Sequence, residues 1–152
     1  MKKLLLIGVP VVSIMGTLFH FLYDYIPVFI FPQNESIFEH LKLIFYPFWI
    51  YFLITFIFYK DDKRELFKSF FLATLISMGF IVVAYYTYSG IIGKSVDFVN
   101  IIIYYLAVIL GFYFIYKKKI LLDYHNSIIF FVIINILFVV LTFYPLSIAF
   151  FL

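Results

Sequence analysis

The chain has 152 residues, of which 66% are hydrophobic and only 12% are charged, and its mean hydropathy is +1.15. A soluble domain of this length could not bury so much apolar surface, because a small domain leaves a large share of its chain exposed. The composition therefore predicts an all-α integral membrane protein. The absence of cysteine excludes disulfides, thiolate metal sites and thiol catalysis. The net charge of +3 is explained by membrane topology and does not indicate nucleic-acid binding.

Five apolar segments each approach the roughly 20 residues that a membrane-crossing helix needs. They predict a transmembrane bundle with helices over residues 4–25, 35–59, 65–88, 96–116 and 127–152. Pro47 lies inside the second helix and Pro145 in the last third of the fifth, so both helices should kink there. Only four spans would result if the fifth helix were partly re-entrant. No internal repeat is evident, so residues 1–152 are expected to form one domain.

Basic residues predict the orientation, because short loops rich in Lys and Arg prefer the cytoplasmic side. A cytoplasmic N-terminus and an outer C-terminus place most basic residues inside. These inner residues are Lys2, Lys3, Lys60, Lys63, Arg64, Lys68, Lys117, Lys118 and Lys119, which leaves Lys42 and Lys94 outside. The expected location is the cell (plasma) membrane, which the chain crosses several times.

Polar residues gather where the first, second and fourth predicted helices meet the outer face. Each of these helices contributes a pair spaced three or four residues apart, so each pair should share one helix face. Imidazole and carboxylate groups together suit a divalent metal ion, a proton or a cationic solute. The candidate ligand-binding residues are His20, Asp24, Asn34, Glu35, Glu39, His40, Asp97 and Asn100. For a metal ion, the predicted ligands are His20, Asp24, Glu35 and Glu39.

The polarity at the start of the second helix also has a purely structural explanation. Ser36 and Glu39 have the spacing of a capping box, and the helix macrodipole favours the carboxylates of Glu35 and Glu39. Glu39 and Lys42 are three residues apart and could form an ion pair. In this interpretation His40 lies at the headgroup level, and Lys42 extends its ammonium group towards water.

Two other polar positions divide between structure and function. Asp97 follows Ser95 at a predicted helix start, which favours a capping role. His20 and Asp24 lie in an otherwise apolar helix, where ionisable groups are costly and tend to face a bundle interior or a wet cavity. A hydrogen-bonded His–Asp pair could lock two helices together. With a glutamate of the second helix it could instead form a His/Asp/Glu site.

The run NESIFEHLK, residues 34–42, resembles a motif of a family of uncharacterised small bacterial membrane proteins, in which N-E-S-x-x-E-H-L-K opens the second helix. The run YTYSG, residues 86–90, and the total length are similar to that family too. The resemblance carries over the motif residues Asn34, Glu35, Ser36, Glu39, His40, Leu41 and Lys42. It implies a helical membrane protein and brings no activity with it.

Three functions are compatible with these residues. The first is a protein that binds or passes a cation, a proton or a small polar solute at the outer face, with the proline kinks allowing the bundle to open. A homo-oligomer could complete such a pathway. The second is a metal-dependent enzyme in the membrane, acting with an activated water on a lipid-type substrate. The third is an accessory subunit in which the polar cluster joins helices. The lipid bilayer is the expected partner in each case, and no catalytic signature decides between them.

Overall fold

A computed structural model describes residues 2–22, 30–117 and 122–145, with side chains from Leu6 onward. Its helices are α1 (Lys2–Leu22), α2 (Ile37–His40), α3 (Lys42–Phe58), α4 (Lys63–Ile92), α5 (Asp97–Lys117) and α6 (Tyr124–Phe143). The short α2 leads through Leu41 directly into α3, so the two form one helical unit. This part of the chain thus has five helical units and no strand, which confirms the all-α prediction.

Four of these helical segments are long and apolar enough to cross a membrane: Ile37–Phe58, Lys63–Ile92, Asp97–Lys117 and Tyr124–Phe143. The described apolar part of α1, Leu6–Leu22, is shorter. The predicted membrane protein is therefore supported by four candidate spans. A span in α1, and the side of the membrane on which each terminus lies, stay predictions.

Two helix ends differ from the sequence-based boundaries by four residues or more, and the others differ by less. The last helix was expected to run to residue 152 with a kink at Pro145, but α6 ends at Phe143, and the residues after Pro145 lie outside the described part. Proline disfavours helical backbone at the preceding residue, which fits an end of α6 just before it. The predicted kink at Pro145 lies at the edge of the described residues and stays a prediction. At the other boundary, α4 continues past Gly90 to Ile92 and ends at Gly93, whose φ of 80° is a left-handed cap that glycine adopts without strain.

The centre of the bundle is α3, which packs against both α1 and α4. Helix α3 continues through the buried Pro47. Of the most apolar stretch of Ile37–Phe58, 67% is buried within the protein, against 11% of the corresponding stretch of α6. Aromatic rings make the main contacts: Phe48 stacks on Phe112 of α5 with centroids 5.1 Å apart, and Trp49 lies 4.2 Å from the Phe131 ring of α6. Helix α6 is therefore a peripheral helix, which these rings join to α3 and which also packs against α4.

Small residues allow two neighbouring helices to approach closely. The Ser77 hydroxyl of α4 donates a hydrogen bond of 2.8 Å to the Ala107 carbonyl oxygen of α5. A methyl group added to Gly111 would collide with the Ser77 hydroxyl and would lie 2.7 Å from the Phe48 ring. Close backbone contact of this kind is typical of helices that pack within a membrane.

Candidate functional site at the polar end of the bundle

One end of the bundle, which we call the polar end, is formed where α2 and α5 begin and where α1, α4 and α6 end. An open groove there is lined by Ile37, the first residue of α2, together with Ser89 of α4 and Ser95 of the α4–α5 turn. The start of α2 and the α4–α5 turn therefore meet, as the topology predicted. The predicted site residues that the structure describes all lie at or near this end.

Hydrogen bonds from side chains to the backbone define the start of α2. Ser36 is the N-cap, and its hydroxyl accepts a bond of 3.3 Å from the Glu39 N–H, which confirms one half of the predicted capping box. The other half, from the Ser36 N–H to the Glu39 carboxylate, does not form. The Asn34 side-chain oxygen accepts from the Ser36 N–H at 2.9 Å. The Glu39 carboxylate accepts from the Gln33 N–H at 2.8 Å, and it thereby fixes the loop that enters the helix. Both Asn34 and Glu39 are thus engaged in holding this loop.

Inside the bundle, Glu39, Lys42 and Thr142 form a hydrogen-bonded group that we call the buried triad. The Lys42 ammonium lies 2.6 Å from Glu39 Oε2 and donates a second bond of 2.6 Å to the Thr142 hydroxyl oxygen. The Thr142 hydroxyl reaches Glu39 Oε1 at 2.8 Å and the Phe138 carbonyl oxygen at 2.5 Å. We assign its one proton to the carboxylate, because charged acceptors form the stronger bond.

The buried triad corrects one expectation and confirms another. Lys42 does not extend towards water, since its side chain is 0% exposed and that of Glu39 is 2% exposed. The predicted ion pair between the two residues does form. A buried charge is tolerated when a countercharge and hydrogen bonds compensate it, and here Thr142 supplies the additional bonds. Sequence reasoning missed Thr142, because one threonine in an apolar helix carries no local signal of a partner 100 residues away.

Nearer the surface, His20 of α1 meets Glu35 and His40 in a second group, which we call the outer trio. The Nε2 atom of His40 lies 3.4 Å from Glu35 Oε2, and the rings of His20 and His40 are 5.4 Å apart between centroids. The Glu35 side chain is 66% exposed, against 28% for His40. The trio therefore begins at an exposed carboxylate and ends at an imidazole within the bundle.

Both ring nitrogens of His40 face oxygen acceptors. Its Nδ1 lies 2.9 Å from the Ser36 carbonyl oxygen, which can only accept, so Nδ1 carries a proton. Its Nε2 faces the Glu35 carboxylate. A proton held between Nε2 and this carboxylate would join the two side chains in a charge-assisted hydrogen bond. The geometry of the pair therefore suits proton binding.

The third predicted pair lies in and beside the α4–α5 turn. Tyr88 donates to the Asn100 side-chain oxygen and accepts from the Val96 N–H at 3.2 Å, while the Asn100 amide donates to the Ser95 hydroxyl at 3.0 Å. Asn100 is thus engaged within the turn. The capping role expected for Asp97 is wrong: it is the first residue of α5, and the first backbone bond of the helix goes to Val96. Its exposed carboxylate still lies where the macrodipole favours negative charge.

The predicted metal ligands do not share one position. Glu35 precedes the Ser36 cap, so it is not on the helix, and it faces His40 while Glu39 turns inward to Lys42. The shared helix face expected for the two glutamates is therefore wrong. Asp24 lies outside the described residues. Within residues 2–22, 30–117 and 122–145, no three His, Cys, Asp or Glu side chains are placed to hold a metal ion together.

Four of the helical segments could each cross a bilayer, and charged groups are buried between the helices. These features define a helical protein suited to a membrane. The chain belongs to DUF6512, a family of unknown function whose model matches residues 1–152. Comparisons with curated proteins and with solved structures found no match. Membership of an uncharacterised family is thereby confirmed, while a bacterial origin and the N-E-S-x-x-E-H-L-K motif as its signature stay predictions.

Proposed function

We propose that the protein binds a proton, or a small cation or polar solute that takes the place of the proton, at the outer trio and passes it into the bundle. The observation that carries this proposal is the contact of 3.4 Å between His40 and Glu35, because His40 is held in an orientation in which both of its nitrogens face acceptors. In the proposed topology the trio lies on the outer side of the cell membrane.

Exposure along the trio supports uptake from water. Glu35 is the exposed member, His40 is intermediate, and the His20 ring lies beyond His40 on a different helix. The His20 ring, 5.4 Å from that of His40 between centroids, places a second imidazole close to the proposed binding site.

A structural role, as in an accessory subunit, is supported by a separate observation. The buried triad links α2 and α3 to the peripheral α6 through hydrogen-bonded charges, with bonds of 2.6–2.8 Å. Buried ion pairs of this kind determine register more than they add stability. We therefore assign the positioning of α6 to Glu39 and Lys42, and ligand binding to the outer trio.

Flux measurements in liposomes test the proposal. The full chain is reconstituted with a pH-sensitive dye inside, and proton entry is followed after a potential is applied, alone and with small cations or polar solutes present. We expect the native protein to conduct, and Glu35→Gln and His40→Gln to reduce the flux to that of empty liposomes. His125→Gln is the matched control, because His125 is exposed at the opposite end of the bundle. Native flux equal to that of empty liposomes for every probe would overturn the proposal.

A further inference from the structure

The groove at the polar end is lined by polar groups that do not belong to the outer trio. It has a volume of about 370 Å³, and its walls include Ile37, Tyr85, Tyr86, Ser89, Lys94 and Ser95. Gly90 and Gly93 line it too. Apart from atoms of its own stretch of chain, a Cβ atom added at either glycine would have no neighbour within 4 Å. The groove is therefore open to a ligand beside backbone, hydroxyl groups and one ammonium group.

Lys94 is the cation that this groove offers to a ligand. Its side chain is exposed, and the three ion pairs that the described residues form, with nitrogen and oxygen within 4.0 Å, do not include it. The carboxylate of Asp97, three residues further on, lies more than 4.0 Å from the Lys94 nitrogen. The other lysine at this end, Lys42, is fully buried against Glu39. An anionic group entering the groove would therefore meet a positive charge that has no carboxylate partner in the described structure.

The adjacent Ser95 offers a hydroxyl to the same group. The Asn100 amide donates to its oxygen at 3.0 Å. Because Tyr88 donates to Asn100, the Ser95 hydroxyl would be the donor in its contact of 3.4 Å with Tyr88. A contact of that length is weak, so a ligand oxygen at ordinary hydrogen-bond distance would be a better acceptor for the Ser95 proton. An ammonium group beside a hydroxyl donor suits the oxygens of a phosphate group.

The position of the groove matches the level of lipid headgroups. Helix α4 has 30 residues, which at about 1.5 Å per residue give about 45 Å, well above the ~30 Å of the hydrocarbon layer. At least one end of α4 therefore extends beyond this layer, and its last turns carry Tyr85 and Tyr86, residues of a type that is favoured in the headgroup region. Their rings would line the part of a ligand that continues towards the acyl chains.

We propose that this groove binds the phosphate group of an anionic phospholipid, with Lys94 and Ser95 as its ligands. Asn100 and Tyr88 act as positioning residues, because they reach the ligand only through Ser95. The site shares no residue with the outer trio. Loss of lipid binding therefore leaves the predicted flux unchanged, and the two proposals can fail separately.

Native mass spectrometry of the detergent-solubilised full chain, titrated with phosphatidylglycerol, tests this site. We expect Lys94→Gln to weaken binding by at least about tenfold, the usual effect of removing one charge-assisted bond from such a site. Ser95→Ala should weaken it less, and Lys94→Arg should retain it. Lys60→Gln is the matched control, since Lys60 is an exposed lysine at the opposite end and should bind as the native chain does.

A second set of titrations distinguishes a lipid from a free phosphate. Phosphatidylglycerol binding that millimolar inorganic phosphate does not displace identifies a lipid as the ligand. Displacement by inorganic phosphate, lost in Lys94→Gln, shows the same anion site with a soluble ligand. Equal phosphatidylglycerol affinity in the native chain and in Lys94→Gln would overturn the proposal. Unchanged melting temperatures in both lysine variants would show that misfolding does not cause the loss.

Discussion

Thr142 lies 100 residues after Lys42 in the chain, yet its hydroxyl oxygen accepts a hydrogen bond of 2.6 Å from the Lys42 ammonium group. The same hydroxyl donates to Glu39 at 2.8 Å. This bond is a polar link between the central helical unit and α6, which otherwise meets α3 through aromatic rings such as those of Phe131 and Phe138. Thr142 and the buried ion pair thus add a polar link to the apolar contacts that α6 makes with α3 and α4.

Glu39→Gln should destabilise the protein strongly, because it leaves the Lys42 charge buried without a countercharge. Removing one partner of a buried ion pair costs about 3–5 kcal/mol, and we expect that loss in the free energy of unfolding in detergent. Glu65→Gln is the matched control: Glu65 pairs with Lys68 at the same spacing, but the glutamate is 48% exposed. Its loss should cost under about 1 kcal/mol. Equal effects of the two variants would contradict this account of the buried triad.

Thr142→Val should weaken the attachment of α6, since valine keeps the shape of threonine but leaves Lys42 and Glu39 each short of a hydrogen bond. An unmet buried polar group costs about 1–3 kcal/mol. Hydrogen exchange of the α6 backbone in nanodiscs would show the weaker attachment directly. Thr87→Val serves as control, because the Thr87 hydroxyl is exposed and bonds only to its own helix at Val83. Unaltered exchange in α6 of Thr142→Val would refute the proposed link.

Gly16→Ala should destabilise the contact of α1 with α3 and α5. An added methyl group would lie 2.6 Å from the Leu43 carbonyl oxygen and would collide with the Tyr104 hydroxyl, which bonds to the Val12 carbonyl oxygen at 3.1 Å. Overpacking of this kind costs about 1–3 kcal/mol. Gly79→Ala is the opposite case: nothing lies within 4 Å of its added methyl group, so the variant should gain up to about 1 kcal/mol. Thermal unfolding of both variants tests the difference in sign.

The N-terminus of α6 should loosen in acid. The N–H group of Asn126 donates to Asp123 at 3.1 Å and holds the pKa of that carboxyl below its usual value. Because the folded pKa is the lower one, the cap contributes fully above the ordinary aspartate pKa of about 4 and is lost as the pH falls through the folded value. The protection of the first turn of α6 against hydrogen exchange, relative to the intrinsic exchange rate at each pH, should therefore fall below about pH 4.

Asp123→Asn separates this cap from other acid effects. Asparagine also caps helices but does not titrate, so the protection of the first turn, relative to the intrinsic exchange rate at each pH, should become independent of pH in that range. Asp61→Asn, which alters an exposed aspartate in the α3–α4 connection, should leave the acid response of α6 intact. An acid response of α6 that persists in Asp123→Asn would show that the cap is not its cause.

Several local features of the site were predictable from the sequence. The Ser36 cap and the Glu39–Lys42 pair depend on residues three apart on one helical segment, so spacing alone brings them together. The grouping of Glu35 with Glu39 failed for a local reason as well. The helix begins one residue after the Ser36 cap, and the rule of shared faces does not extend to a residue before it.

The sequence by itself determined the helical class, the number of helical units and the polar end, because hydropathy and helix-breaking residues act locally. Only the tertiary structure decided that His20 meets His40 and that Thr142 completes the buried triad. The physical reason is the lipid environment: helices apolar on every side carry no amphipathic stripe that indicates which face turns inward. The rotation of each helix, and with it the identity of its polar partners, is settled by packing between distant segments.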